Sequence, residues 1–223
     1  MIHMGKIITI GREFGSGGRE VGKRLSDELG IAYYDNEIIT EIAKRTKLAE
    51  GYVQHVMENG PTALMPITIG RTFYMGVDPV MEQNNAIYRE QSLLVQELAE
   101  NSDCVIVGRS ADYILRDKKP LRLFIYADME SRMERCRKRA PEQEHFTDKE
   151  LRRHIQMKSA LERVSMSEKE MEKYIERTNK YRSDFYHYHT GRNWDDAENY
   201  DLCINTSGAN IEDLVKVIAK LVK

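Results

Sequence analysis

The sequence predicts an α/β protein built on a parallel sheet. Three observations carry this. Short apolar runs at 7–10 (IITI), 104–107 (CVIV), 121–127 (LRLFIYA) and 202–205 (LCIN) alternate with helical stretches. The first run leads into the glycine-rich turn Gly15-Ser16-Gly17-Gly18 and then into a helix. The closing stretch 211–222 puts Ile211, Leu214, Val215, Ile218 and Leu221 on one face, as a helix docked on a sheet does. Parallel strands joined through helices imply right-handed crossovers.

Lys6 to Asp35 organises the chain: a strand, a glycine-rich turn, a helix and a second short strand. Ile7, Ile8, Thr9 and Ile10 carry no charge, as suits a strand buried on both faces. Gly11 is expected to end it. The glycines that follow allow a sharp turn whose amides converge on an anion. A helix starting near Arg19 adds the partial positive charge of its N-terminus. Val21, Leu25 and Leu29 share its inner face, Lys23, Arg24, Asp27 and Glu28 face water, and Gly30 stops it.

Against the phosphate-loop pattern G-x-x-x-x-G-K-[ST], Gly11 and Gly17 stand one residue too far apart. With Gly17 as the second motif glycine, Gly18 takes the lysine position and Arg19 the hydroxyl position. With Gly18 as the second glycine, Arg19 replaces the lysine and Glu20 the hydroxyl. Both registers lose the Mg²⁺-binding hydroxyl. A tight turn with no ligand is the alternative, and the strand–GSGGR–helix context favours phosphate.

Asp35 ends the second strand and can cap the next helix, whose stripe is Ile38, Ile39, Ile42 and Ala43. Gly51 to Pro79 reads as short helices and loops over a substrate site. A polar helix runs from about Met81 to Asn101. The strand Cys104–Val107 ends in Gly108-Arg109-Ser110, and residues 109–116 form a short helix. Asp128 caps a basic helix to Arg139, which Pro141 breaks. Residues 147–180 are charge-rich, and an exposed, mobile helical hairpin is expected there. An aromatic stretch, Tyr181 to Trp194, follows.

The 223 residues suit one α/β domain, 1–223. Lys and Arg number 34 against 36 Asp and Glu, a balance that argues against bulk nucleic-acid binding. Cys104, Cys136 and Cys203 are odd in number and far apart, so neither a disulfide framework nor a zinc site is expected. A reducing cytoplasm fits this cysteine usage. No secretory pattern and no membrane-spanning run is read, so no membrane partner is expected.

The segments ITIGREFGSGGREVGKRL, YYD, IVGRSADYIL, ADMESRMERCRKR, NKYRSDFYHYHTGRNW and NYDLCINTS together resemble the cytidylate kinase-like family of nucleoside monophosphate kinases. The resemblance covers nearly the whole chain. It implies a P-loop NTPase fold, a three-layer α/β/α arrangement with a five-stranded parallel sheet. It also implies a nucleoside-monophosphate-binding region at 36–101 and a helical lid at 140–182. By resemblance the phosphate loop comprises Gly11, Phe14, Gly15, Ser16, Gly17, Gly18, Arg19 and Glu20, with Gly15 to Arg19 cradling ATP. Arg109, with Asp35, would contact the acceptor. Arg132 and Arg135 would stand near the transferring phosphoryl group, with Arg177 and Arg182 closing from across the lid. Mg²⁺ would be the cofactor, held through water by Glu20 or Asp35. The implied activity moves the γ-phosphoryl of ATP to a small nucleotide, CMP or dCMP. A nucleotide-binding regulator without catalysis, or a kinase of another small metabolite, are the alternatives. The chain departs from the family at Val107, where an aspartate is usual, at Glu41, where an arginine is, and in the loop itself.

The residue types suit the chemistry. Phosphoryl transfer needs in-line substrates and cations around the moving charge, and arginine offers a planar, permanently charged fork. Arg132 and Arg135 lie one helical turn apart and share a face, although a solvated helix face shows the same spacing. Arg19 is expected to do the missing lysine's job, with Lys23 one turn on and solvated. Arg19→Ala should then cut turnover by on the order of a hundredfold, and Lys23→Ala by much less. His187 and His189 have strand-ligand spacing for a metal, but aromatic packing is the favoured reading. Asp195 and Asp196 read as a solvated turn.

Overall fold

Alternate residues of each strand face two different apolar layers, and this alternation builds the molecule. The computed structural model describes residues 6–35, 37–59, 79–138 and 165–222. Among these, the strands are β1 (Ile7–Arg12), β2 (Ala32–Tyr34), β3 (Cys104–Val107), β4 (Leu121–Tyr126) and β5 (Leu202–Asn205). They form one parallel sheet in the order β2-β3-β1-β4-β5. The helices are α1 (Gly18–Leu29), α2 (Glu37–Thr46), α3 (Glu50–Asn59), α4 (Pro79–Asn101), α5 (Ala111–Ile114), α6 (Met129–Lys138), α7 (Glu168–Thr190) and α8 (Ile211–Val222).

Ile8, Ile10, Val105, Val107, Leu123 and Ile125 pack against Val21 and Leu25 of α1 and Ile211, Val215 and Ile218 of α8. On the other face, Ile7, Cys104 and Ile106 pack against Ile38, Ile39 and Ile42 of α2, Val53 and Val56 of α3, and Ile87, Leu94 and Val95 of α4. Helices therefore cover both faces, which gives the three-layer α/β/α architecture expected from the sequence. Each fully buried aliphatic side chain adds about 1.5–3 kcal/mol of transfer free energy.

Local signals set most boundaries. Gly30 ends α1 at φ 67°, its N–H bonding the Asp27 carbonyl. Asp128 Oδ1 accepts the Ser131 amide at 2.7 Å, the expected cap at the start of α6. A capping box of Ser167 and Glu170 opens α7, and Gly191 closes it.

Two expectations need correction. β1 continues through Gly11 to Arg12, because Gly11 lies flat against Phe124 and Tyr200, where a Cβ would come within 2.9 Å of either ring system. The aromatic stretch from Tyr181 is not separate from the charged segment before it. It is the C-terminal half of α7, with Phe185 and Tyr186 buried. Its helical period was masked by aromatic residues on neighbouring faces. Between the second and fourth helices, Glu50–Asn59 is a ten-residue helix, in line with the short helices expected there. Of the expected hairpin at 147–180, residues 147–164 lie outside the described residues, as do 60–78 of the expected substrate-covering region and Pro141.

Candidate functional site

The C-terminal ends of five parallel strands meet at the turn between β1 and α1, where open α/β sheets hold their ligands. The turn is fixed before any ligand arrives. Glu13 N donates to Ile125 O at 3.0 Å, and the Ser16 amide and hydroxyl both donate to Glu13 O. Phe14 N donates to Asn179 Oδ1 at 2.7 Å, and the Phe14 ring meets Tyr174 edge-on. Phe14 is thus the hydrophobic peg that holds the loop to α7. Gly15 and Gly17 take φ of 79° and 85°, which lets the chain turn and deliver α1 from Gly18. The first amides of α1 have no intrahelical acceptor and open toward the strand ends.

One flank of the loop is crowded with arginine. Asp35, only 4% exposed, receives Arg19 Nε at 2.7 Å and lies 3.6 Å from Arg12 Nη2. Burial alone would push its carboxyl up. Arg19, Arg12, Arg109 and Arg182 outweigh that and hold it below the usual carboxylate range. Desolvation brings Arg12 down to about 10, with Asp35 opposing and Arg19 and Arg109 reinforcing the fall, so Arg12 stays charged at neutral pH. Arg182 Nη1 donates to the Arg12 carbonyl at 3.1 Å and its guanidinium lies over the Phe14 ring. Gly108, Arg109 and Ser110 are three successive left-handed residues, φ 73°, 60° and 51°. Two non-glycine residues in that region cost energy, and such strain clusters at functional sites. Gln91 Nε2 secures this turn through the Arg109 carbonyl at 2.8 Å.

On the opposite flank the arginines are matched mainly by protein groups, although Arg132 Nε is buried without a hydrogen-bond partner. Arg132 pairs with Glu13 at 3.3 Å, and Glu13 Oε2 also accepts the Ala127 amide. Arg135 donates to Thr206 O at 2.6 Å, to Thr206 Oγ1 at 3.2 Å and to Ser16 O at 3.4 Å. Thr206 Oγ1 in turn donates to Ser16 O at 2.6 Å. These contacts tie the loop to the ends of β4 and β5.

The sequence-derived residues therefore separate into groups. Arg19, Asp35, Arg109 and Arg182 converge, with Gly18 against the Arg12 stem. Arg132 and Arg135 stand on the matched flank. Gly11 lies within β1. Arg177 is exposed on α7, 5.9 Å from the Tyr174 ring. Lys23 turns down α1 to Asp27 at 2.6 Å. Asp35 does not cap α2, because its carboxylate turns to the arginines instead. Arg12, Glu13, Asn179 and Thr206 went unnoticed in the sequence. The available signal for the first two was an Arg-Glu pair closing an otherwise apolar central strand just before the glycines.

For a polyanion the site fits: four arginines converge at Asp35 beside a helix N-terminus. For Mg²⁺ the protein groups alone do not fit. Glu20 pairs with Arg24 at 3.1 Å, Asp35 is held by arginines, and no cluster of three or more His, Cys, Asp or Glu that could hold a metal occurs among the described residues. His187 and His189 sit on a helix rather than a strand. His187 Nδ1 lies 3.2 Å from the Arg192 carbonyl, and His189 stacks on Tyr88 at 3.8 Å. Asp196 caps a 3₁₀ turn through the Glu198 amide. No described helix is long and apolar enough to cross a membrane.

Comparison with known proteins bears on this site. A model of the cytidylate kinase-like family matches residues 7–208. Among solved structures, an uncharacterized protein from Eubacterium ventriosum is similar at 23% identity, TM-score 0.63, over 97% of this chain and 98% of its own. Shikimate kinase from Bacteroides thetaiotaomicron is similar at 14% identity, TM-score 0.54, over 97% and 98%. Shikimate kinase from Acinetobacter baumannii, solved with shikimate, is similar at 14%, TM-score 0.50, over 99% and 94%. At these identities the structures establish a shared P-loop kinase fold. No curated protein matches the chain.

Proposed function

The chain belongs to the cytidylate kinase-like family, and from that premise we propose that it moves the γ-phosphoryl group of ATP to a nucleoside monophosphate, CMP or dCMP. Family and fold support a phosphotransferase. The observation that carries the nucleotide reading is the convergence of Arg12, Arg19, Arg109 and Arg182 on one buried carboxylate, Asp35. A net excess of fixed cations beside the first amides of α1 is a site for phosphates.

In this reading the loop from Gly15 to Arg19 and the start of α1 hold the donor phosphates. The Ser16 amide already bonds Glu13 O, so the donors left for phosphate are those around Gly17 and at the start of α1. Arg109 and Asp35 face the acceptor, and Arg19 moves from Asp35 to phosphate when substrate arrives. Arg132 and Arg135 keep the loop in shape, while Arg177 and Arg182 lie on the lid side. Mg²⁺ supplies charge neutralisation on the nucleotide phosphates when bound. Substrates are small nucleotides, with no nucleic-acid or membrane partner, and the working compartment is the cytoplasm.

The test is ADP production with ATP, Mg²⁺ or Mn²⁺, and a panel of nucleoside monophosphates and small phosphate-bearing or hydroxylated metabolites. The fastest turnover should come with CMP or dCMP. Turnover only with a non-nucleotide would move the protein to a metabolite kinase. ATP binding with no turnover on any acceptor would make it a nucleotide-binding regulator.

A further inference from the structure

Resting on the nucleotide-binding reading above, we propose that Arg12 is the fixed cation of the phosphate loop, doing from the end of β1 what a lysine at the start of α1 does in the usual motif. The sequence had assigned that duty to Arg19.

Helix α1 begins at Gly18 and is capped by left-handed Gly17, so Gly17 is the motif glycine at the helix entrance. The pattern G-x-x-x-x-G-K then puts its first glycine five residues earlier, at Arg12, and its lysine at Gly18. Arginine stands where the motif has glycine, and glycine stands where it has the cation. The two positions have exchanged residue types.

The packing gives the reason. A Cβ on Gly18 would lie 2.5 Å from Arg12 Cβ and 2.9 Å from Cγ. Residues 12 and 18 therefore share one channel, and only one of them can send a side chain through it. At the far end, a Cβ on Gly108 would run into the Arg12 guanidinium, closest at Nη1. Two glycines on separate elements thus bracket one arginine, under its stem and under its head. Asp35 holds the head from the side, and Arg182 holds the backbone through the Arg12 carbonyl.

The two candidate cations differ in how they are held. The Arg12 side chain is 12% exposed and bracketed by Gly18 and Gly108, whereas the Arg19 side chain is 36% exposed and pairs with Asp35. Stabilising charge that shifts between phosphates needs a cation already in place, because no reorganisation is then spent at the moment of transfer. Arg12 meets that condition.

Calorimetric titration with ATP, and with AMP as the ligand lacking the terminal phosphates, tests this. The proteins are the wild type, Arg12→Gly, Arg12→Lys, Arg12→Met and the exchange variant Arg12→Gly/Gly18→Lys. Arg12→Gly should weaken ATP binding roughly tenfold to a hundredfold, as loss of a charged hydrogen-bonding partner does, with AMP affinity within a few-fold of wild type. The exchange variant returns the cation through the same channel and should regain most of the lost ATP affinity. If Arg12→Gly does not fold, Arg12→Lys should still bind ATP more tightly than Arg12→Met. Wild-type ATP affinity in Arg12→Gly, an exchange variant no tighter than Arg12→Gly, or equal ATP affinity in the Lys and Met variants would each overturn the proposal. A wild type that binds neither nucleotide would overturn the nucleotide reading itself.

Discussion

The two flanks of the phosphate loop are built from the same residue type to opposite ends. Toward β2 and β3, four arginines converge on buried Asp35. Toward β4 and β5, Arg132 has Glu13, and Arg135 has the carbonyls of Ser16 and Thr206. In the nucleotide reading, an anion relieves the clustered positive charge of the first flank. Contacts to protein groups on the second flank make a strap between the loop and the ends of β4 and β5, with Arg132 Nε the buried atom left without a hydrogen-bond partner. Arginine content alone does not mark an anion site; the ratio of cations to enclosed acceptors does.

The largest effect should come from removing the buried carboxylate on which the arginines of the crowded flank converge. Asp35→Ala leaves its arginines facing one another and should destabilise the fold by about 3–5 kcal/mol at low salt, as breaking a buried pair does. High sulfate or phosphate should restore much of this loss. A melt that sulfate restores no better in Asp35→Ala than in wild type would erase the contrast between the flanks.

Cutting the strap should cost less and respond differently. Arg135→Ala removes charged hydrogen bonds to Thr206 and Ser16 and should cost about 1.5–3 kcal/mol. Anions should give no recovery beyond what the wild type gains. Sulfate rescue of Arg135→Ala, measured in the same melts, would place Arg135 among the anion-facing groups.

The smallest effect sharpens the comparison by isolating pH. His189 is pressed against Tyr88 and Phe185, and desolvation lowers its pKa from 6.5 to about 4. The unfolded chain then binds the proton more readily than the folded one, so stability is full above pH 6.5 and declines as pH falls toward about 4. Asp35, whose folded pKa is depressed, contributes stability that is lost at still lower pH. His189→Gln should flatten the upper part of the thermal stability profile and leave the acid limb. An unchanged slope between pH 6.5 and 4 in His189→Gln would show that other groups set it.

The first unit of the fold was legible because its signals are local. The strand, the glycines, the stripe Val21–Leu25–Leu29 and the stop at Gly30 lie within one short stretch. The anion site was legible only in part, for the reason that makes it a site: its groups come from separate elements. Asp35 looked like a helix cap because capping is what a sequence neighbour suggests, and the arginines that claim it arrive from β1, α1, the turn after β3, and α7. Arg135 read as a lid cation because Thr206, its partner across the sheet, is 71 residues away. Arg12 was hidden most thoroughly, since its environment depends on Gly18 and Gly108 lacking side chains.

That last feature constrains how the chain can change over generations. Giving position 18 a side chain while Arg12 is present forces two stems into one channel. Replacing Arg12 first, while 18 is still glycine, leaves the channel empty. A lineage carrying arginine at 12 and one carrying lysine at 18 are therefore separated by unfit intermediates in either order of substitution. Gly108 adds to this, because a side chain there would have to push the Arg12 guanidinium aside. The loop's departure from the common motif is in this sense self-locking: positions 12 and 18, on two elements, must change together.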